Sequence, residues 1–223
     1  MNSETGNLIK ISNRERRRIF RMQRFERELW SQGIHSVAGV DEAGRGPLAG
    51  PVVAAAVIVA PGAFIPFVND SKLLSPRVRE QLYEEIIEAA VAVGIGVVDA
   101  KTIDQVNILQ ATMQAMQIAV ARLSVKPEFI LVDGRQLPPW QVPSRSIIAG
   151  DRSSFSIAAA SIVAKVTRDR IMMDYHKLYP QYRFDRHKGY ATREHIKMIT
   201  QFGFSDIHRR SFSIHGSNDN HKG

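Results

Sequence analysis

Residues 37–59 read VAGVDEAGRGPLAGPVVAAAVIV, and the reading of this stretch decides the fold. Val37 to Val40 is a short apolar run, expected to be a strand. Asp41 and Glu42 follow it, then a glycine- and proline-punctuated segment, Gly44-Arg45-Gly46-Pro47, that is expected to break it. Val52 to Val59 is a continuous run of β-branched residues and alanine, the pattern of a strand buried on both faces. Further strands are expected at Gly94–Val98, Phe129–Val132 and Ser146–Ala149. Two early strands adjacent in sequence, then strands alternating with helices, give an α/β fold with a mixed sheet.

The helices are read from the 3.6-residue period. One is expected from Asn13 to about Trp30, with Ile19, Phe20, Met22, Phe25 and Leu29 near one stripe, arginines on the others and Gly33 as its stop. Its expected place is packed on its own domain. Ser75-Pro76 starts a second helix running to about Val93, with Val78, Leu82, Ile86 and Ala89 facing inward. Thr102 or Asp104 caps a third, to Leu123, with Val106, Leu109, Met113, Met116 and Val120 as its stripe. Ser156 to about Leu178 and about Thr192 to Phe202 complete the set, with Pro180 ending the former. The chain divides into a basic N-terminal extension (1–33), a main domain (34–212) and a polar tail (213–223) expected to be disordered.

The 223 residues include no cysteine, which excludes disulfide scaffolds, Cys-ligated zinc, iron–sulfur clusters and thiol catalysis. The longest apolar run, Val52 to Ala60, is too short to span a bilayer, and the first 30 residues carry arginine where a secretory signal needs an apolar core. A cytoplasmic protein without membrane contact is expected. The net charge of +8 is unevenly spread. Residues 10–28 hold eight Lys/Arg against three Glu, and residues 152–210 hold twelve against five acids, whereas 29–151 are net acidic. Basic flanks around an acidic middle point to a polyanion partner and a separate acidic site.

Four carboxylates sit at strand ends: Asp41, Glu42, Asp133 and Asp151, each near a glycine. Sites in α/β sheets gather there. Any one acid alone is more often a turn residue or a helix cap. Together they would repel and stay partly protonated unless a hard divalent cation reverses the sign. Oxygen-only donors favour Mg²⁺ or Mn²⁺ over Zn²⁺, and two such ions suit phosphodiester hydrolysis. Gly44-Arg45-Gly46 fits neither a P-loop nor a dinucleotide fingerprint; it is a tight turn or a backbone cradle over a sugar–phosphate. In His187-Lys188-Gly189-Tyr190, Tyr190 could stack on a sugar or base, with Lys188 near phosphate. Lys72, in Asp70-Ser71-Lys72, is a possible phosphate contact. His208-Arg209-Arg210-Ser211-Phe212 is a phosphate contact or a solvated basic segment. His35, His176, His195, His215 and His221 have no ligand spacing and are left unassigned.

The stretch from Val37 to Pro51 resembles the signature of ribonuclease HII, the bacterial type 2 ribonuclease H. The resemblance continues through Asp70-Ser71-Lys72, Leu131 to Gly134, Ala149 to Asp151, Ser156 to Lys165, Thr167 to Asp169, His187 to Tyr190 and His208 to Phe212. It implies an RNase H-like fold, with a central five-stranded mixed sheet flanked by helices and a helical C-terminal part. It also implies an endonuclease that cuts the RNA strand of RNA–DNA hybrids and incises on the 5′ side of single ribonucleotides in duplex DNA, leaving 3′-hydroxyl and 5′-phosphate ends. The family's four metal-holding acids fall on Asp41, Glu42, Asp133 and Asp151. Its ribose-sensing loop falls on Gly44, Arg45 and Gly46, and its junction-reading tyrosine on Tyr190. Two Mn²⁺ or Mg²⁺ ions, no small-molecule cofactor, no sliding-clamp peptide in the tail and a monomer are expected. The rival readings are another metal nuclease on the same fold, of resolvase or integrase type, and a non-catalytic nucleic-acid-binding module.

Overall fold

The computed structural model of the chain describes residues 11–213; the expected tail, from residue 214 on, lies outside them. Five strands form one sheet: β1 (Val37–Ala43), β2 (Val52–Ile58), β3 (Ala92–Val98), β4 (Phe129–Asp133) and β5 (Ser144–Ile147). Their order is β3-β2-β1-β4-β5. The β1–β2 and β2–β3 pairs are antiparallel, and β1–β4 and β4–β5 are parallel. The helices are α1 (Asn13–Met22), α2 (Arg24–Trp30), α3 (Pro76–Ala89), α4 (Ala100–Ala121), α5 (Phe155–Leu178), α6 (Phe184–His187) and α7 (Arg193–Phe202).

Helices cover both faces of the sheet, and β2 shows it residue by residue. Ala55 and Val57 join the cluster under α5, while Val52, Ala54, Ala56 and Ile58 join the cluster under α4. The small residues let helix backbones come close. A Cβ on Gly39 of β1 would lie 2.1 Å from the carbonyl carbon of Ser156, and one on Gly96 of β3 would lie 1.9 Å from the carbonyl oxygen of Ala115.

Several boundaries differ from the sequence reading. β1 does not stop at Val40: it runs through both acids to Ala43, because Asp41 and Glu42 are held in register opposite Ala55 and Ala54. The first helix is two, broken at Gln23, whose side chain turns to donate to the Ala63 carbonyl at 2.6 Å. Ile19, Met22, Phe25 and Leu29 are buried as expected, but Phe20 is 56% exposed. α3 ends at Ala89, and Ala89 and Val78 face solvent. Val91 N–H is captured by the Ile58 carbonyl, and sheet pairing overrides the helical pattern.

α4 starts earlier than expected, on Asp99, and Asn107 interrupts it at φ 70°. The Asn107 side chain then re-caps the helix by accepting from Leu109 and Gln110 N–H. Its buried seam is Ala111, Ala115, Met116 and Ala119, while Val106, Leu109, Met113 and Val120 are only half-buried. The short α6 was not read from the sequence. It belongs to a C-terminal cluster in which Tyr182 stacks on Phe184, their centroids 5.5 Å apart.

Candidate active site

Parallel pairing of β1 and β4 matches Val40 with Val132, so Asp41 and Asp133 occupy the next positions on adjacent strands. Strands lie about 4.8 Å apart. β5 runs beside β4, and the single 3₁₀ turn after it, Gly150–Arg152, carries Asp151 back to the same end of the sheet. The Gly150 N–H donates to Asp133 Oδ1 at 2.6 Å, tying the β4 end to that turn. Glu42 follows Asp41, whose Oδ1 accepts the Glu42 N–H at 2.7 Å. All four acids therefore meet at one edge.

Their mutual influence appears in how readily Asp41, Glu42 and Asp151 ionise. Burial, then Glu42 and Asp133, push the Asp41 carboxyl well above the usual carboxylate range. Burial and Asp133 also raise Glu42, against the pull of Arg45, and burial with Asp133 and Asp70 raises Asp151. Lys72 feels the whole group. Burial opposes its charge, yet Asp151, Asp41, Asp70 and Asp133 together raise its pKa. Its ammonium lies 3.7 Å from Asp151, and the Arg45 guanidinium lies 3.3 Å from Glu42. Both cations are exposed and screened by water, so each neutralises little. The edge thus holds buried, oxygen-only negative charge in excess of its cations, which suits a hard divalent ion. Among the described residues no three of these side chains are gathered around one point as they stand. Asp41 and Asp133 are turned to backbone N–H donors instead.

The Gly44-Arg45-Gly46 loop leaves β1 directly beside the acids. Gly44 has φ +95°, and a Cβ there would lie 2.0 Å from Arg168 Nε. Its glycine is demanded from inside the protein. Around Gly46 nothing lies within 4 Å of a Cβ, so that position is open to an incoming molecule. Two buried guanidiniums shape this region. Arg209 donates to the carbonyls of Gly50, Arg45 and Gly44 at 2.9, 2.9 and 2.6 Å. Arg168 donates to Pro51, Ala49 and Lys188 carbonyls at 3.0 to 3.1 Å. His208-Arg209 is therefore no solvated segment and no phosphate contact. His208 and Arg209 are 2% and 1% exposed, and Arg209 clasps the loop from behind.

Arg168 also brings in the His187–Tyr190 segment. Gly189 accepts from Leu48 N–H through its carbonyl at 2.8 Å, and Tyr190, 43% exposed, has its ring 5.8 Å from the Arg168 guanidinium. Lys188 turns its ammonium to the Asp185 carbonyl and to Met173. Behind Tyr190 lies a chain of imidazoles whose tautomers follow from their partners. Ser205 N–H donates to His208 Nδ1 at 2.9 Å, so His208 Nε2–H donates to His195 Nε2 at 3.0 Å, and His195 Nδ1–H donates to the Tyr190 carbonyl at 2.9 Å. His187 stacks on His195 at 4.4 Å.

A family model described as Ribonuclease HII matches residues 38–215. The chain belongs to the ribonuclease HII family. A ribonuclease HII of Syntrophus aciditrophicus is 56% identical over 193 residues, covering 86% of this chain and 91% of that protein. Among solved structures, the ribonuclease H2 of Pyrococcus horikoshii matches with a TM-score of 0.66 at 29% identity, over 80% of this chain and 94% of that one. A Bst RNase HIII solved in complex with Mn²⁺ shares the fold at 19% identity, with a TM-score of 0.54 over 78% of this chain and 66% of that one. This ribonuclease HII is thus a ribonuclease H of type 2, an endonuclease, on the five-stranded fold expected of it. Among the described residues no helix is long and apolar enough to cross a membrane.

The sequence reading missed the buried role of Arg168 and the imidazole chain, and it placed Arg209 and His208 on the surface, where the structure buries them. A bare histidine or arginine carries no signal of burial; only the glycines they abut hinted at close packing. The imidazoles yield a prediction. Burial and histidine neighbours push both His195 and His208 down to about 4. Between about pH 4 and 6.5 the unfolded chain binds protons that the folded one refuses, so stability is full above about 6.5 and falls as pH falls through this window. The melting temperature should drop by about 5 °C or more from pH 7 to pH 5. The drop should shrink in His195→Gln. Melting curves that are flat with pH, or equally steep in that variant, would refute this.

Proposed function

We propose that this ribonuclease HII hydrolyses the RNA strand of RNA–DNA hybrids and incises 5′ of single ribonucleotides in duplex DNA, leaving 3′-hydroxyl and 5′-phosphate ends. The observation that carries the reading is the register of β1 on β4. It sets Asp41 beside Asp133, at the edge to which the turn after β5 carries Asp151, next to a loop that is open at Gly46. Asp41, Glu42, Asp133 and Asp151 would hold two divalent ions, Mg²⁺ or Mn²⁺. Mn²⁺ is the ion bound by the RNase HIII relative. When bound, the ions supply an activated water and counter-charge for the departing 3′ oxygen.

The chain's own residues supply the rest. The four carboxylates would hold the ions, with Gly150 N–H orienting Asp133. The Gly44–Gly46 backbone, clasped by Arg209, accepts a ribose at its open side and senses the 2′-hydroxyl, the group that separates RNA from DNA. Arg45 and Lys72 lie against the acids at the rim, where a scissile phosphate would sit between them. Lys188 is a more distant phosphate contact. The enzyme would act as a monomer in the cytoplasm.

Tyr190 reads the RNA-to-DNA junction by laying its exposed ring on the sugar after the ribonucleotide. Tyr190→Ala should lower cleavage at single ribonucleotides by roughly 10- to 100-fold, the range of one lost stacking contact, and cleavage of long hybrids by less. Equal losses on both substrates would remove the junction role. The reading as a whole is tested on a duplex with one embedded ribonucleotide beside an all-DNA control, each with Mg²⁺, Mn²⁺ and chelator. Cleavage only of the ribonucleotide strand, and only with metal, is expected. Cutting of the all-DNA duplex would favour a resolvase-type nuclease, and binding without turnover a mere binding module.

A further inference from the structure

The family match begins at residue 38, so α1 and α2 lie outside it, and they carry a dense run of basic charge. Arg14, Arg17 and Arg21 are spaced i, i+3 and i+7, which places them along one face of α1; Arg24, the first residue of α2 after the break at Gln23, lines the same groove as Arg21, and all four are exposed. Among the described residues none of them is paired with a carboxylate. The acids that might have neutralised them are used elsewhere. Glu15 binds Arg18 and the Phe67 N–H, buried Glu26 accepts from Ser154 and Ser156, and Glu28 faces Arg145. Unpaired like charges on one helix face repel, and the arrangement gains only when an anion covers it.

That face is continuous with the active site. Arg21, Arg24 and Arg27 line one shallow groove with Arg152 and Ser153, immediately after Asp151, and Arg152 is bonded to Asp70 of the Lys72 loop. We propose that the outer face of α1–α2 is a second nucleic-acid-binding surface, which grips the phosphate backbone of the substrate duplex beside the cleavage site. The proposal rests on the substrate assigned above. At 1.5 Å per residue, Arg14 to Arg21 spans about 10.5 Å, some three nucleotide steps of 3.4 Å.

A membrane fits this face poorly. An amphipathic helix that lies on lipid needs an apolar stripe to insert, and here that stripe is spent on the core: Ile19, Met22, Phe25 and Leu29 are all buried. Phe20 alone projects, and the Arg27 guanidinium lies over its ring at 3.5 Å. A charge of one sign with no acidic counterpart, next to a site that takes a phosphodiester, matches a polyanion.

The test uses the full-length chain and a 30-base-pair hybrid in Ca²⁺, with affinity followed against salt. Replacing Arg14, Arg17, Arg21 and Arg24 together by glutamine should weaken binding about tenfold or more near 0.1 M salt and flatten the log–log salt slope by about 2 or more. Replacing Lys101, Lys126, Lys177 and Lys197 by glutamine removes the same charge from other surfaces and should move both quantities much less. The fourfold Arg→Lys variant should keep the slope, which separates charge from any folding defect of the glutamine variant. Equal effects of the two glutamine variants, or a slope unchanged from wild type, would overturn the proposal. So would unchanged hybrid binding with loss of binding to vesicles containing phosphatidylserine. Cleavage of the same hybrid in Mg²⁺ by the wild type is run alongside. Its absence would sink the assignment of the site, whereas intact cleavage with an unchanged slope would sink only this surface.

Discussion

Asp133→Asn is expected to lower cleavage of a single-ribonucleotide duplex by about 10³-fold or more, while affinity for that duplex changes less than about threefold. The substitution is nearly isosteric, and its retained oxygen can still accept the Gly150 N–H, so the β4 end and the Asp151 turn should stay in place. What is lost is one negative charge at the centre of the group: Asp133 acts on Asp41, Glu42, Asp151 and Lys72 alike. The basic surfaces that hold the duplex are untouched. Single-turnover cleavage and Mn²⁺ titration calorimetry on the same protein check both halves. Near-wild-type turnover, or undiminished Mn²⁺ binding, would strip Asp133 of the metal role.

The two loop glycines should fail in opposite ways. Gly44→Ala places a Cβ 2.0 Å from buried Arg168 at a φ of +95°, and neither can yield cheaply. A destabilisation of about 3 kcal/mol or more is expected, with activity lost because the protein unfolds. Gly46→Ala meets nothing within 4 Å and should melt close to wild type. Its added methyl would instead stand where a ribose approaches, and ribonucleotide cleavage should fall about 10²-fold. Thermal melts beside cleavage rates separate the two. A stable Gly44→Ala protein, or a fully active Gly46→Ala one, would contradict this division of labour.

The sheet was legible because its strands carry their own signal. The β-branched and alanine run of β2 could only be a strand covered on both sides, and Asp41, Glu42 and Asp133 stood at the ends of apolar segments. The acids themselves could be named from sequence, since four carboxylates near glycines need a shared reason. What escaped depends on contacts between distant segments. α3 stops short because Ile58, some thirty residues earlier, captures Val91. α4 breaks because Asn107 can re-cap the helix with its own side chain. Opposite Gly94 and Gly96 the seam of α4 is alanine, Ala115 and Ala119, because those glycines let the helix backbone approach. That a Cβ at Gly44 would strike Arg168 likewise depends on a segment more than 120 residues away and leaves no mark in the local sequence.

The clasp by Arg209 has a consequence for how the enzyme comes into being. The Gly44–Gly46 loop is translated early, yet the guanidinium that holds it arrives more than 160 positions later. A nascent polypeptide on the ribosome could assemble its sheet well before this loop is clasped. The loop would take its final form only once that late side chain is in place.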